Sequence, residues 1–265
     1  MTMRLAVIIP AAGSSVRYRA SGGMRSKIDE DLGGRPVLQR TVELFTKLDE
    51  TCAVIVAGPR DDHGEFVARH GDKLGLLGVK VCKGGQTHRW ETVQAALEFV
   101  PDDATHIAVH DAARPCATVE LIARVLGAAT KHPAVIPAID VPDTIKRVSD
   151  QAEEDTDVDP LDAILGGAGK DNSSLREVEE TVPRENLVLV QTPQAFDASV
   201  LRDAYGQAGL SSTDDASLVE KMGVAVRVVE GDPRNIKITR PRDLEHARKI
   251  MGYGAPKERA AHKRF

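Results

Sequence analysis

The feature that most constrains the fold is an uninterrupted apolar run near the N-terminus, followed by small and basic residues. Leu5–Ile9 contains no polar side chain, which is typical of a parallel strand covered by helices on both faces. The loop after it begins Pro10-Ala-Ala-Gly13 and then carries Arg17, Arg19, Arg25 and Lys27. Backbone amides of small residues can approach an anion closely, so the loop is a candidate phosphate site. A surface loop with solvated bases is the alternative.

Apolar runs and helix-like segments alternate along the first half of the chain. Strand-like runs recur at 52–57, 106–110 and 134–138, and amphipathic segments lie between them. This alternation predicts an α/β fold with a parallel, doubly wound sheet. Ligands of such sheets bind beyond the carboxyl ends of the strands, which is where Gly13 and Asp111 both fall.

Composition excludes several classes of function. The chain of 265 residues has a net charge of -5 and only 3% aromatic residues. Neither value suits a nucleic-acid-binding surface. Three widely spaced cysteines predict reduced thiols in a cytoplasmic protein, and the short run before Pro10 predicts neither a signal peptide nor a membrane span.

Two further segments place charged residues beside apolar runs. Asp111 follows the run ending at His110, where a carboxylate could hold a magnesium ion against phosphates. It could equally cap a helix or pair with Arg114. The segment Asn235-Ile-Lys-Ile-Thr239 predicts a short strand whose Lys237 faces either solvent or a ligand. We interpret His110 as structural.

Two regions have the composition of exposed chain. Acidic residues, glycines and serines crowd residues 149–180, which predicts a flexible insertion. The basic tail at 252–265 is expected to be solvated.

The common glycine motifs of nucleotide-binding proteins are missing. The loop after the first strand contains no G-x-x-x-x-G-K-[ST] sequence, and Gly13-Ser-Ser lacks the later glycines of a dinucleotide fingerprint. An NAD-dependent oxidoreductase is therefore disfavoured.

Six segments in order resemble the 2-C-methyl-D-erythritol 4-phosphate cytidylyltransferase family, over roughly residues 5–250. They are Pro10-Ala-Ala-Gly with Arg17 and Lys27, Val109-His-Asp-Ala-Ala-Arg-Pro115, Asp143-Thr-Ile-Lys146, Gln191-Thr-Pro-Gln-Ala-Phe196, Thr213-Asp-Asp-Ala-Ser-Leu-Val-Glu220 and Asn235-Ile-Lys-Ile-Thr239. The resemblance implies one Rossmann-like nucleotidyltransferase domain spanning 1–265. It also implies a β-arm at about 139–190 that reaches across a homodimer.

The resemblance also implies a reaction and a set of site residues. The phosphate of methylerythritol phosphate would attack the α-phosphorus of CTP, with Mg²⁺ on the departing pyrophosphate. The implied catalytic residues are Arg17, Lys27 and Lys237, and the implied nucleotide-binding residues are Ala11, Ala12, Gly13, Gly85 and Thr92. The implied acceptor-binding residues are Asp111, Arg114, Thr144, Arg184 and Thr239, with Asp111 also near the metal and Arg184 supplied by the neighbouring subunit.

The chain departs from the family pattern mainly in the first loop. The family has a second glycine at the position of Ser15, methionine-glycine at Tyr18-Arg19, and Pro-Lys-Gln at Ser26-Lys27-Ile28. The run Gly84–Thr92 is one residue longer than the pattern. Two alternatives remain: a cytidylyltransferase for a pentitol phosphate such as ribitol 5-phosphate, and a nucleotide-binding relative without turnover.

Overall fold

The computed structural model of the chain describes residues 2–150, 153–154 and 174–254. The predicted acidic insertion at 149–180 lies largely outside these residues, and the predicted tail at 252–265 lies outside them beyond residue 254. The chain divides into two compact units, Met1–Ile139 with Val190–Phe265, and Asp140–Leu189. The expected arm at about 139–190 falls on the second unit, and its role in a dimer stays a prediction.

Strands and helices alternate through the first half, and the second half contains most of the short strands. The helices are α1 (Val16–Ala20), α2 (Val37–Glu43), α3 (His63–Leu76), α4 (Arg89–Leu97), α5 (Val119–Ala129), α6 (Ala198–Tyr205), α7 (Ala216–Lys221) and α8 (Pro241–Ile250). The strands are β1 (Leu5–Pro10), β2 (Thr51–Gly58), β3 (Lys80–Lys83), β4 (His106–Val109), β5 (Ala134–Asp140), β6 (Ile145–Val148), β7 (Glu153–Glu154), β8 (Ser174–Leu175), β9 (Val178–Val182), β10 (Val188–Val190), β11 (Gln194–Asp197) and β12 (Arg227–Glu230).

A mixed sheet of eight strands forms the centre of the first unit. Its order is β10-β5-β11-β4-β1-β2-β3, with β12 beside β5. Strand β1 runs parallel to both β2 and β4, and β12 runs parallel to β5. The short strand β11 is antiparallel to β4 and β5 and separates them. The predicted α/β fold with a mostly parallel sheet is confirmed, although the sequence analysis did not identify β11 as a strand.

The apolar run of β1 is explained by two cores, one on each face of the sheet. Leu5, Val7 and Ile9 pack on one face with residues of α2, α3 and α5. Ala6 and Ile8 pack on the other face with residues of α4, α6 and α7. All five side chains are fully buried. Because successive residues of a strand point to opposite faces, a strand covered on both sides has no solvent-facing position for a polar residue.

The pairing of β1 with β4 brings two predicted site segments to one edge of the sheet. Ile8 is paired with Val109, so both strands end at nearly the same level. The loop beginning at Ala11 and the turn beginning at His110 therefore leave the sheet side by side. This edge is the carboxyl edge at which parallel α/β sheets bind ligands.

The second unit contains a short antiparallel ribbon. Strand β6 pairs with β9, with Ile145 opposite Val182, and β7 pairs with β8. This register places Thr144 and Arg184 at the same end of the ribbon, where the Arg184 guanidinium donates to the carbonyl of Pro142. In the part of the chain that the structure describes, every helix is too short or too polar to cross a bilayer.

Candidate active site

A pocket of about 190 Å³ opens at the carboxyl edge of the sheet within the first unit. Its walls come from the loop after β1, the turn after β3, the turn after β4 and the segment that precedes α8. Among its lining residues are eight predicted from the sequence, namely Ala11, Ala12, Gly13, Lys27, Gly85, Thr92, Asp111 and Lys237. The fold thus gathers residues from opposite ends of the chain into one pocket.

The carboxylate of Asp111 is the centre of a cluster of positive charges. Its Oδ2 atom lies 2.9 Å from Nζ of Lys237 and 3.1 Å from Nε of Arg114. Its Oδ1 atom lies 3.6 Å from Nε of Arg89. Burial alone would raise the pKa of Asp111, but the charges of Lys237, Arg89 and Arg114 outweigh it and hold that pKa far below its usual range. Asp111 is therefore ionised throughout the physiological pH range.

Lys27 enters the same pocket without a bonded partner of its own. Among the described residues, no hydrogen bond or ion pair is formed by its ammonium group. Burial, together with repulsion from Lys237 and Arg17, outweighs attraction by Asp111 and lowers its pKa to about 8. A half-buried ammonium that lacks a bonded counter-ion is unfavourable, and an anionic ligand in the pocket would supply that counter-ion.

A buried histidine fixes the turn that carries Asp111 and Arg114. His110 Nε2 donates to the carbonyl of Arg114 at 3.0 Å, since a carbonyl can only accept. Its Nδ1 must then accept from the Thr192 hydroxyl at 3.1 Å, and that hydroxyl oxygen accepts from the amide of Asp111. Burial lowers the pKa of His110 to about 4, so the ring is neutral. The histidine holds the turn and has no free nitrogen for acid–base chemistry.

The segment that carries Lys237 differs from the sequence prediction. Asn235–Thr239 was expected to be a short strand, and this is wrong, because it belongs to no helix or strand. Among the described residues, its one backbone–backbone hydrogen bond to the turn after β4 runs from the amide of Ile238 to the carbonyl of Ala113. Ile238 is fully buried in a cluster with Val37. Packing of the isoleucines therefore holds the segment in place without a ladder of hydrogen bonds.

Buried Asn235 links this segment to the rest of the site. Its Nδ2 atom donates to the carbonyl of Thr192 at 2.8 Å, and its backbone carbonyl accepts from Arg114 at 2.7 Å. One asparagine thereby connects the Lys237 segment, the Asp111 turn and the chain that leads into β11.

The turn after β3 is shaped by two side chains of α4. The carboxylate of Glu91 accepts from the amides of Gln86, Thr87 and His88 at 2.8–3.1 Å. The hydroxyl of Thr92 accepts from the amide of Gly85 at 3.1 Å. A Cβ atom on Gly85 would lie 2.2 Å from Cβ of Glu91, so only glycine fits there. Glu91 therefore fixes the backbone of three consecutive residues in this turn.

Three residues of the site, Arg89, Asp215 and Tyr205, escaped the sequence analysis or were left unassigned by it. Arg89, the first residue of α4, pairs with fully buried Asp215 at 2.7 Å as well as with Asp111. Asp215 also accepts from the hydroxyl of buried Tyr205 at 2.5 Å. The acidic pair in Thr213-Asp-Asp-Ala was the available signal. Its partner Arg89 is 126 residues away, a separation that local sequence patterns cannot bridge.

The remaining predicted residues do not line the pocket. Arg17 lies exposed on α1, and its charge acts on Lys27. The hydroxyl of Thr239 donates to Asp243 at 2.7 Å, at the start of α8. Arg114 reaches the site through Asp111, and Thr144 and Arg184 belong to the second unit.

The donor set suits a cation that is bound mainly by a nucleotide. Among the described residues, no three His, Cys, Asp or Glu side chains form a metal cage. Nucleotide-bound magnesium needs only one or two carboxylates, because phosphates and water supply its other ligands. Oδ2 of Asp111 is engaged by Lys237 and Arg114, whereas Oδ1 has only the longer contact to Arg89. Oδ1 of Asp111 is therefore the atom that fits such an ion.

A mostly parallel α/β sheet with a cationic pocket at its carboxyl edge is typical of nucleotide-binding proteins of the Rossmann-like class. The family model for IspD, 2-C-methyl-D-erythritol 4-phosphate cytidylyltransferase, matches residues 5–161 and 162–253. The chain belongs to this family. The resemblance found in the sequence is thereby confirmed, and the family's enzymes are nucleotidyltransferases.

Relatives and solved structures agree with this assignment. The chain is 38% identical over 250 residues to the 2-C-methyl-D-erythritol 4-phosphate cytidylyltransferase of Symbiobacterium thermophilum, covering 93% of this chain and 92% of the relative. It is 35% identical to that of Halalkalibacterium halodurans, covering 97% of this chain and 100% of the relative. The crystal structure of the Thermus thermophilus enzyme is similar, with a TM-score of 0.69 and 31% identity over 94% of this chain and 100% of that one.

Replacing Asp215 tests the buried pairing. We expect Asp215→Asn to lower the free energy of unfolding by about 3 kcal/mol, because Arg89 loses its closest counter-ion in a buried setting. Tyr205→Phe removes one hydrogen bond to a charged group and should cost about 2 kcal/mol. Urea unfolding measures both.

The matched control is Glu220→Gln, an exposed acid-to-amide change on α7. It should change the free energy of unfolding by less than about 0.5 kcal/mol. Equal stability of Asp215→Asn and Glu220→Gln would contradict the assignment of Asp215 as the buried counter-ion of Arg89.

Proposed function

We propose that the protein transfers the cytidylyl group of CTP to 2-C-methyl-D-erythritol 4-phosphate in isoprenoid precursor biosynthesis. The products are 4-diphosphocytidyl-2-C-methyl-D-erythritol and pyrophosphate. Family membership supports the reaction, and the observation within the site that carries the proposal is the unpartnered, half-buried ammonium of Lys27 beside Lys237. Cations in this position are suited to bind the negatively charged triphosphate of a nucleotide.

The chemistry of the reaction suits a site without a general base. A phosphate oxygen of the acceptor forms a bond to the α-phosphorus of CTP, and the bond from that phosphorus to the β-phosphate oxygen breaks. The nucleophile is already an anion, so no proton has to be removed. Catalysis then consists of positioning and charge stabilisation, and His110, the residue before Asp111, is neutral and fully bonded.

The proposed nucleotide contacts lie on the loop after β1 and the turn after β3. The backbone of Ala11, Ala12 and Gly13 contacts the nucleotide, while Gly85 and Thr92 form the opposite wall around the cytidine. Gly13 has open space around it, so a phosphate could approach its backbone closely. Arg17 and Lys27 hold the triphosphate.

The proposed transition-state contacts come from Lys27 and Lys237. Both would stabilise the charge that develops on the oxygens of the α-phosphorus. Asp111 keeps Lys237 in place through the 2.9 Å ion pair and would hold Mg²⁺ through its other oxygen. When bound, this ion would neutralise charge on the departing pyrophosphate. Arg114, Thr144, Thr239 and Arg184 are the proposed contacts of the acceptor.

We propose a homodimer in which the unit Asp140–Leu189 serves the site of the neighbouring subunit. Four apolar residues of this unit are each at least 40% exposed in the single chain, namely Val178, Leu187, Val188 and Leu189. Exposed apolar residues such as these are suited to an interface. Arg184, at the end of the ribbon formed by β6 and β9, is the proposed contribution to the partner's acceptor site.

The proposed location is the cytoplasm. Cys52, Cys82 and Cys116 are free thiols, as expected in a reducing compartment. The donor CTP is also an intracellular metabolite.

Pyrophosphate release from CTP and Mg²⁺ is the direct test of the activity. We expect release with methylerythritol phosphate and much less with ribitol 5-phosphate. Lys237→Ala should lower kcat by about 100- to 1000-fold with a smaller change in KM, because its charge is needed most in the transition state. Faster turnover of ribitol 5-phosphate would identify the pentitol-phosphate enzyme instead. No release with either acceptor would leave a nucleotide-binding protein without turnover.

The pH dependence of kcat/KM for CTP tests the role of Lys27. Its pKa of about 8 is below the ordinary value, so the ammonium is present below pH 8 and is lost as the pH rises above it. Substrate phosphates are fully ionised above about pH 7. We therefore expect kcat/KM to fall about tenfold per unit above pH 8.

Lys27→Arg is the matched control because arginine keeps its charge at high pH. In that variant the alkaline decrease should disappear or shift to higher pH. The same decrease in both proteins would assign it to another group.

Co-expression of two inactive variants tests the shared site. If Arg184 acts in the neighbouring subunit, a heterodimer of Lys27→Ala and Arg184→Ala has one site with neither change. Random assembly should then restore about a quarter of wild-type activity at low acceptor concentration. Either variant expressed alone should stay inactive, and a mixture without recovery would place both residues in the same subunit's site.

A further inference from the structure

Two serines, one directly before α1 and one just before Lys27, are bonded to each other. The hydroxyl oxygens of Ser15 and Ser26 lie 3.0 Å apart, and the amide of Lys27 points to the Ser15 hydroxyl at 3.4 Å. Ser15 is only 9% exposed. Both serines are departures from the family pattern, which has glycine and proline at these positions, so the two changes meet in one contact.

The backbone of Ser15 has a conformation that is unusual for its residue type. Its φ of 55° and ψ of 29° lie in the left-handed region, where a side chain other than glycine is disfavoured by roughly 1 kcal/mol or more. A glycine at this position would adopt the same conformation more easily. A serine there is favoured only if its hydroxyl contributes something that glycine lacks, and the contact to Ser26 is such a contribution.

The chain on the other side of Lys27 is held by separate contacts. Asp29 lies 2.7 Å from Nε2 of buried His70 and also pairs with Arg69 of α3. Ile28 is buried, and its carbonyl accepts from the amide of Leu38. Lys27 thus lies between a firm anchor to α3 and the contacts to Ser15. Among the described residues, the hydrogen bonds from Ser26 and Lys27 back to the start of the loop all end on the Ser15 hydroxyl.

We propose that Ser15 and Ser26 are positioning residues for Lys27. Their hydroxyl pair ties the start of α1, where Ser15 lies, to the turn that carries the lysine. The Lys27 ammonium is thereby held in the pocket before the nucleotide binds. This proposal rests on the proposed role of Lys27 in cytidylyl transfer.

A double-mutant cycle on kcat tests the proposal. Removing one hydroxyl in Ser15→Ala or Ser26→Ala should lower kcat about fivefold, as expected for one hydrogen bond of ordinary strength, with KM for CTP changed less than about twofold. The double variant should be no slower than either single variant, because both changes remove the same interaction. Ser26→Thr keeps the hydroxyl and should retain wild-type kcat.

Two further variants separate the hydroxyl from the backbone conformation. Ser15→Gly relieves the backbone strain but lacks the hydroxyl, so its kcat should be as low as that of Ser15→Ala. Ser14→Ala, an exposed serine next to it, should leave kcat unchanged. Thermal unfolding of each variant identifies any that fail to fold, in which case Ser26→Ala and Ser15→Gly alone decide the result.

Lys27→Ala distinguishes failure of this proposal from failure of the proposed function. If Lys27→Ala loses most of its activity while Ser15→Ala and Ser26→Ala keep wild-type kcat, the serine pair has no positioning role. Additive losses in the double variant would overturn the proposal as well. If Lys27→Ala itself keeps full activity, the assignment of the lysine is wrong and the positioning role falls with it.

Discussion

The site depends on one buried carboxylate and the cations that surround it. Asp111 is buried at the carboxyl edge of the sheet, where an isolated negative charge would be strongly unfavourable. Lys237, Arg114 and Arg89 compensate it, and each comes from a different position around the edge. The carboxylate therefore joins the turn after β4, the start of α4 and the segment before α8 into a single unit.

The positive charges of the site are not all paired with negative ones, and this makes the pocket suited to a polyanion. Arg89 is shared with buried Asp215, and Lys237 and Arg114 share one oxygen of Asp111. Lys27 has no bonded counter-ion among the described residues, and its pKa is lowered to about 8. A triphosphate would provide the missing negative charge, so binding of the nucleotide and relief of an unfavourable charge are the same event.

The loop after β1 shows how departures from a family pattern can be internally consistent. Taken separately, Ser15, Tyr18, Ser26 and Ile28 look like losses from the family's loop. In the structure Tyr18 and Ile28 are buried, and Ser15 contacts Ser26. Side-chain contacts therefore hold this loop. Sequence patterns show each change singly, whereas the contact between them exists only in the folded chain.

The sequence by itself determined the alternation of strands and helices and the carboxyl edge at which Gly13 and Asp111 fall, because strand periodicity is a local property. The resemblance of six segments to a family implied the other predicted residues that line the pocket. The apolar run Leu5–Ile9 predicted a strand buried on both faces, and the structure pairs it with the strand that ends before Asp111. The tertiary structure alone decided the pairing of Arg89 with Asp215, the place of Thr239 and the insertion of β11 between β4 and β5. These depend on contacts between residues far apart in the chain, and such contacts form only when the sheet has brought them together.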